Sequence, residues 1–264
     1  MDKVDNCVTQ ENLERIGRMT LFNDILFRNV AKDRDVARLF VRLFTGREDL
    51  DVVARDTQYS VVPVTGQRGV VMDLHIVDDE GSVFDFEIQD YRELHLALRA
   101  RWYHSQLDWE HGPESGQEYD SLPQVQVVFI MRHDPFGQGR LLYRVRKEAA
   151  PGLVYDDGSH TAFMNVGAAD DSALGRLAHD LVQTRAEDMY YDELRKQVRH
   201  YKTTKEGTKR MCRELEEMKM ETADKKARMI AENLLKFGMS VADVAMNTEL
   251  DKAVVEELAA KKGK

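Results

Sequence analysis

Cysteine is nearly absent from this chain: Cys7 and Cys212 are the only two, and they lie far apart. Two isolated thiols supply neither a disulfide framework nor a cysteine metal site. Long apolar runs are missing as well. No stretch approaches the ~18–20 residues needed to span a bilayer. The opening Met-Asp-Lys-Val-Asp-Asn carries no apolar signal region, so a cytoplasmic protein without a membrane partner is expected. Excess positive charge is the third absence. A net charge of −9 argues against a protein that coats nucleic acid. It leaves room for a nucleic-acid enzyme, because the field inside a cleft and the charge of a bound divalent ion act locally. What is present is 42% apolar and 32% charged residues over 264 positions. That composition fits a globular chain with a core domain and a tail.

Periodicity divides the chain. Residues 20–44 predict a helix, with Thr20 placed as N-cap and Leu21, Ile25, Phe40 and Leu43 in apolar sets at helical spacing. The charged stretch Lys32 to Asp35 interrupts it, and Thr45-Gly46 ends it. Three strands follow, at Tyr59 to Val64, Val70 to Val77 and Ser82 to Gln89, the last two joined by the turn Asp78-Asp79-Glu80-Gly81. A second helix is expected from about Tyr91 to Asp108, with Leu94, Leu98 and Trp102 along one face, and then an apolar strand from Gln124 to Met131. The order is α-β-β-β-α-β. Leu141 to Val145 reads as one more strand, and 170–237 as helix with a stripe of Met211, Leu215 and Met218. Gly238 to Leu258 reads as two short helices. Ser240 with Asp243 resembles a capping box there, and Val244, Leu250, Val254 and Leu258 are set to pack together.

Alternation along the two middle strands carries the chemistry. Met72, Leu74 and Ile76 point one way, and Asp73 and His75 the other. Phe84, Phe86 and Ile88 share a face, and Asp85, Glu87 and Gln89 share the opposite one. A hairpin of these strands puts the apolar sets on a core and gathers Asp73, Glu87 and Gln89 on the far side. An ordinary amphipathic hairpin with one wet face gives the same alternation. Carboxylates forced together repel, however, and a divalent cation makes such a cluster favourable. Mg2+ takes oxygen ligands, commonly one or two carboxylates, with water and substrate phosphate completing its shell.

The segment from Val70 through Asp73-Leu-His-Ile-Val and Phe84-Asp-Phe-Glu87-Ile-Gln89 resembles the PD-(D/E)XK nuclease family transposases, the recombination-promoting nuclease (Rpn) family. Asp24-Ile-Leu-Phe27-Arg28 is similar to that family's Asp-x-x-Phe-Lys helix, with arginine for lysine. Arg99, Tyr103 and Gly116-Gln-Glu-Tyr119-Asp-Ser-Leu122-Pro123 are similar to its next helix and the lead into its next strand. Ala231 to Ala245 resembles its tail. Met72 stands where proline usually precedes the first aspartate, and Gln89 where the type pattern has lysine. The resemblance implies an α/β fold with a restriction-endonuclease-like core, a mixed central sheet and a mainly helical C-terminal region. The boundaries expected are an extension at 1–19, the core at 20–150, helices at 151–237 and a short helical tail at 238–264.

The activity implied is Mg2+- or Mn2+-dependent hydrolysis of DNA phosphodiesters, linked to transposition or recombination. Asp73 and Glu87 would hold the metal, and Gln89 would position water. Asp24 is a further acid from the first helix, and Arg28 and Arg99 are candidates for phosphate contact. Asp85 and His75 share the polar face and read as structural. Trp102 and Tyr119 read as packing residues. The alternative is an inactive nuclease fold that binds DNA or a protein partner. The acidic tail, with Asp243, Glu249, Asp251, Glu256 and Glu257, suits protein contact better than DNA, and the C-terminal helices are candidates for a homodimer seam.

Overall fold

The computed structural model describes residues 7–62 and 69–261. It divides into two compact units, Leu13–Thr208 and Met1–Asn12 with Lys209–Lys264. After α1 (Gln10–Arg18), the region expected as one helix forms two, α2 (Asp24–Val30) and α3 (Arg34–Thr45). The break falls where the charged stretch predicted it. The Asp33 carboxylate accepts from the backbone N–H groups of Asp35 and Val36 at 3.0 and 3.2 Å, which caps a new helix. The cap of α2 is Asn23, whose side chain accepts from Leu26 N–H at 3.3 Å. Thr20, the residue expected in that role, instead accepts from Phe22 N–H. Gly46 ends α3 in the left-handed region at φ 76°, where a residue without Cβ fits.

The strands are β1 (Val52–Val61), β2 (Val70–Asp78), β3 (Val83–Gln89), β4 (Val125–Met131), β5 (Leu142–Arg144), β6 (Glu148–Ala150), β7 (Leu153–Val154) and β8 (Ser159–Asn165). Helix α4 (Leu96–His111) lies between β3 and β4 in sequence. The order α-β-β-β-α-β is therefore present, though β1 starts earlier than expected. Residues 63 and 64 of the strand expected there lie outside the described residues. One six-stranded mixed sheet runs β1-β2-β3-β4-β8-β5, while β6 and β7 form a separate ribbon. β1, β2 and β3 pair antiparallel; β4 lies parallel to β3 and β8 parallel to β4. β8 sits beyond residue 150, where the sequence reading ended the core, and sheet membership extends to Asn165.

Helices cover both faces. Phe40 and Phe44 of α3 meet Phe86 with ring centroids 5.3 Å apart. Ala100, Tyr103 and Leu107 of α4 pack on Val83, Val127 and Phe129. The α4 stripe expected from sequence is offset: Leu94 and Leu98 are 75% and 54% exposed, because the helix begins only after His95. Trp102 packs partly against the core, whereas Tyr119 is exposed. Phe86 is fully buried. Phe86→Ala is expected to cost about 3–5 kcal/mol, read as a shifted denaturant midpoint.

Helices α5 (Ala173–Leu181) and α6 (Asp192–Thr203) complete this unit, and α7 (Lys205–Lys236) leads into the other. There α8 (Val241–Thr248) and α9 (Lys252–Lys261) follow. Ser240 caps α8 by accepting from Asp243 N–H at 3.2 Å. Val244 and Val255 are buried with Ala231 and Leu235, so Val255 takes the central place expected for Val254. Among the described residues no helix is long and apolar enough to cross a membrane.

Candidate functional site

The β2–β3 ladder ends abruptly. Backbone pairing runs from Val77↔Val83 to Leu74↔Phe86. One level further, side chains take over. Asp73 N–H donates to Glu87 Oε1 at 3.0 Å, and Ile88 N–H donates to Asp73 Oδ2 at 2.8 Å. Two backbone donors that would be orphaned where the strands part are thus satisfied by carboxylates. Asp73 and Glu87 share one sheet face, as the alternation required, and α4 covers that face.

Arg99 of α4 organises the cluster. Its guanidinium donates to Glu87 Oε2 at 2.7 Å, to Gln89 Oε1 at 2.7 Å and to Glu93 at 3.2 Å. It also reaches the Tyr103 hydroxyl at 3.0 Å. Arg99, Glu87 and Gln89 thus form one network that Glu87 extends to Asp73. Asp24 joins through a residue that sequence reading missed. Gln58 Nε2 donates to Asp24 Oδ1 at 2.9 Å and lies 3.4 Å from Asp73 Oδ1. Gln58 adopts φ 58°, a left-handed backbone rare for a residue with a side chain. Such strain costs on the order of 1–3 kcal/mol and concentrates at functional sites. Arg28 lies one helical turn from Asp24, 3.9 Å from its carboxylate.

Charge and burial act together. Burial, and then the Glu87 carboxylate, push Asp73 up to about 7, against the pull of the Ile88 N–H. Burial also raises Glu87, opposed by the Asp73 N–H and Arg99. Asp85, read from the sequence as structural, is completely buried beside them. Both its oxygens lack a hydrogen-bond partner among the described residues, and burial holds its carboxyl well above the ordinary range. His75, its cross-strand neighbour, stacks between Tyr59 at 4.4 Å and His111 at 5.1 Å. Burial, and then His111, lower it to about 4.

Asp73, Asp85, Glu87 and Glu93 put four carboxyl groups near one cation, Arg99, so acids outnumber bases in the cluster. Among the described residues no group of three or more His, Cys, Asp or Glu is placed to hold a metal ion. Asp73 and Glu87 offer two carboxylates, the number Mg2+ commonly takes, and no soft ligand. The donor set suits a hard, oxygen-seeking cation.

Beside Arg99, a cleft of about 700 Å3 opens along the first turns of α4, lined by Tyr91, Leu94, Leu98, Trp102 and Tyr103 among others. It supplies room for a ligand next to the carboxylates. Comparison of the chain with protein-family models, with curated proteins and with solved structures finds no match, so the reading of this site rests on its own residues.

Proposed function

We propose that the chain is a metal-dependent nuclease of the PD-(D/E)XK type that hydrolyses DNA phosphodiester bonds in a cytoplasmic, transposase- or recombination-associated setting. The observation that carries this reading is the contact between Asp73 and Glu87 across two strands under α4, with Gln89 two residues further on. The element order and the antiparallel β1–β3 meander with β4 parallel to β3 support it. Asp73 and Glu87 would hold Mg2+ or Mn2+. Such an ion, when bound, supplies a lowered pKa for an attacking water and countercharge for the scissile phosphate.

The chain's own residues do the remaining work. Arg99 fixes Glu87 and Gln89 in one plane of hydrogen bonds, so neither carboxylate nor amide has to be ordered by substrate. With its Oε1 held by Arg99, Gln89 keeps its amide nitrogen as the donor it would offer to a water or a phosphate oxygen. It brings no positive charge to that task. Gln58 ties Asp24 to Asp73, which places a more exposed acid at the rim for proton exchange with solvent.

A second reading has one observation in its favour. Arg99 already neutralises part of Glu87 at 2.7 Å, which suits an inactive nuclease fold that binds DNA or a protein partner without a metal. Titration calorimetry separates the two. Wild type is expected to bind Mn2+ or Mg2+, and Glu87→Gln to lose at least tenfold in affinity, because a hard anionic ligand is gone. Absence of divalent binding, even with DNA present, would hand the site to the second reading.

A further inference from the structure

One cavity at the strand end that carries Gln89 is lined by more cations than acids. It has a volume of about 260 Å3, and Arg15, Arg18 and Arg132 surround it together with Thr20, Phe22 and Asp90. Its position follows from chain order. Asp90 succeeds Gln89, and Arg132 stands just past the end of the parallel strand β4. Arg132 N–H donates to the Gln89 carbonyl at 3.0 Å. The cavity and the Gln89 end of the site therefore share the same strand ends.

Arg132 is held in a fixed orientation. Its guanidinium lies over the Phe22 ring at 4.4 Å, pairs with Asp90 and donates to Thr20 Oγ1 at 3.3 Å. A stacked, oriented guanidinium loses little entropy on meeting a ligand and presents a flat fork of donors. Arg15 and Arg18 stand exposed on the last turns of α1, with Arg18 only weakly tied to Glu14 at 3.4 Å. Three guanidinium groups against the carboxylates of Asp90 and Glu14 leave a local positive excess in a chain of net charge −9. Guanidinium forks match tetrahedral oxyanions with two parallel bonds, so a phosphate group is the ligand that uses this arrangement.

We infer that the Arg15–Arg18–Arg132 cavity binds a backbone phosphate of the nucleic acid, next to the phosphate presented to Asp73 and Glu87. The inference rests on the nuclease reading for its substrate and names where that substrate is gripped. The cavity fixes the strand's register on one side, and the carboxylates act on the other. It also answers the net charge: the acidic surface repels nucleic acid in general, and this cavity offers one place of entry.

Salt dependence of DNA binding tests the inference. The full chain carrying Asp73→Asn, which leaves substrate intact, is titrated against a fluorescein-labelled DNA duplex by anisotropy, with EDTA, at several KCl concentrations. Arg15→Ala with Arg18→Ala is expected to weaken binding at least tenfold and to lower the log–log salt slope by about one, for the one phosphate the cavity holds. Arg132→Lys keeps the charge and loses the fork, so its affinity should fall with a slope near the parent's. Inorganic phosphate should compete with DNA for the parent protein and much less for the double variant. An unchanged slope in the double variant, with circular dichroism showing a retained fold, overturns the cavity, and so does failure of the parent to bind DNA.

An acidic protein displacing DNA from the parent and from the double variant alike would equally count against it. The nuclease reading fails or stands separately, by whether Asp73→Ala abolishes cleavage in otherwise unchanged protein. A reduced slope alongside cleavage that survives Asp73→Ala would keep the phosphate cavity and remove the catalytic assignment.

Discussion

Asp73→Ala and Glu87→Ala should each abolish metal-dependent cleavage of plasmid and linear DNA, with a loss of about three orders of magnitude or more. The size follows from the several kcal/mol that a properly held ion contributes to a phosphoryl transition state, at 1.36 kcal/mol for each factor of ten. Both side chains also satisfy backbone donors, so each variant must be shown folded. Asp73→Asn and Glu87→Gln are the companion changes, since an amide oxygen still accepts from Ile88 N–H or Asp73 N–H. Equal loss in alanine and amide variants points to missing negative charge. Loss in alanine alone points to broken strand geometry. Cleavage surviving in all four, or cleavage indifferent to EDTA, would remove Asp73 and Glu87 from the chemistry. Arg99 serves as a check of a different kind. Arg99→Lys keeps a cation near Glu87 but cannot span Glu87 and Gln89 with one planar group. Its activity should fall less than that of either carboxylate variant.

The second large effect concerns stability in metal-free protein. Asp73 is pushed up to about 7 by burial and by Glu87. A carboxyl raised in the folded state favours folding while it is protonated, and that contribution disappears as pH rises through the folded value. Glu87 and Asp85 are raised as well and add in the same direction. His75 and His104 act oppositely, because burial lowers both to about 4 and their stabilising effect is lost as pH falls below about 6.5. Both histidines are common to wild type and Asp73→Asn, so the difference between the two proteins isolates the Asp73 effect. In EDTA, the stability of Asp73→Asn relative to wild type should grow as pH rises from about 4 to 7 and level off above the folded value. At pH 8 the variant should be more stable by a few kcal/mol, roughly 5–10 °C in Tm for a chain of this size. A variant whose advantage does not grow with pH, or one that melts below wild type at pH 8, would show that burial does not hold the Asp73 carboxyl up.

Much of the core was legible in the sequence for one physical reason. Side-chain direction in strands has a period of two, so Leu74, Ile76, Phe84 and Phe86 had to share a face, and Asp73, Glu87 and Gln89 the other. Local capping was legible where the residue type leaves few choices, as at Gly46 and Ser240. It misled at Thr20, because Asn23 stands three residues later and accepts from Leu26 N–H in the first turn of α2, while Thr20 accepts from Phe22 N–H. The α4 stripe failed because His95 delays the helix start, and a shift of a few residues rotates the apolar face from Leu94 and Leu98 to Ala100, Tyr103 and Leu107. Gln58 could not be found, since no residue pattern announces a left-handed glutamine in a strand. The Arg15–Arg18–Arg132 cavity draws on positions more than a hundred residues apart and shows no spacing at all. Alternation alone marks Asp85 as a structural residue of the polar face; that both its oxygens lack a hydrogen-bond partner among the described residues shows only in the fold.

The parting of β2 and β3 has a consequence for how the sheet moves. Below Leu74 and Phe86 the distance between strands is set by the rigid repeat of backbone pairing. Above it the strands are tied by two carboxyl groups, each with rotatable bonds and each able to gain or lose a proton. The opening at this end of the sheet is therefore adjustable, a clasp on an otherwise fixed seam. Its width is expected to respond to pH or to an arriving charge, while the core formed by Phe40, Phe44 and Phe86 is held by packing that involves neither carboxyl group.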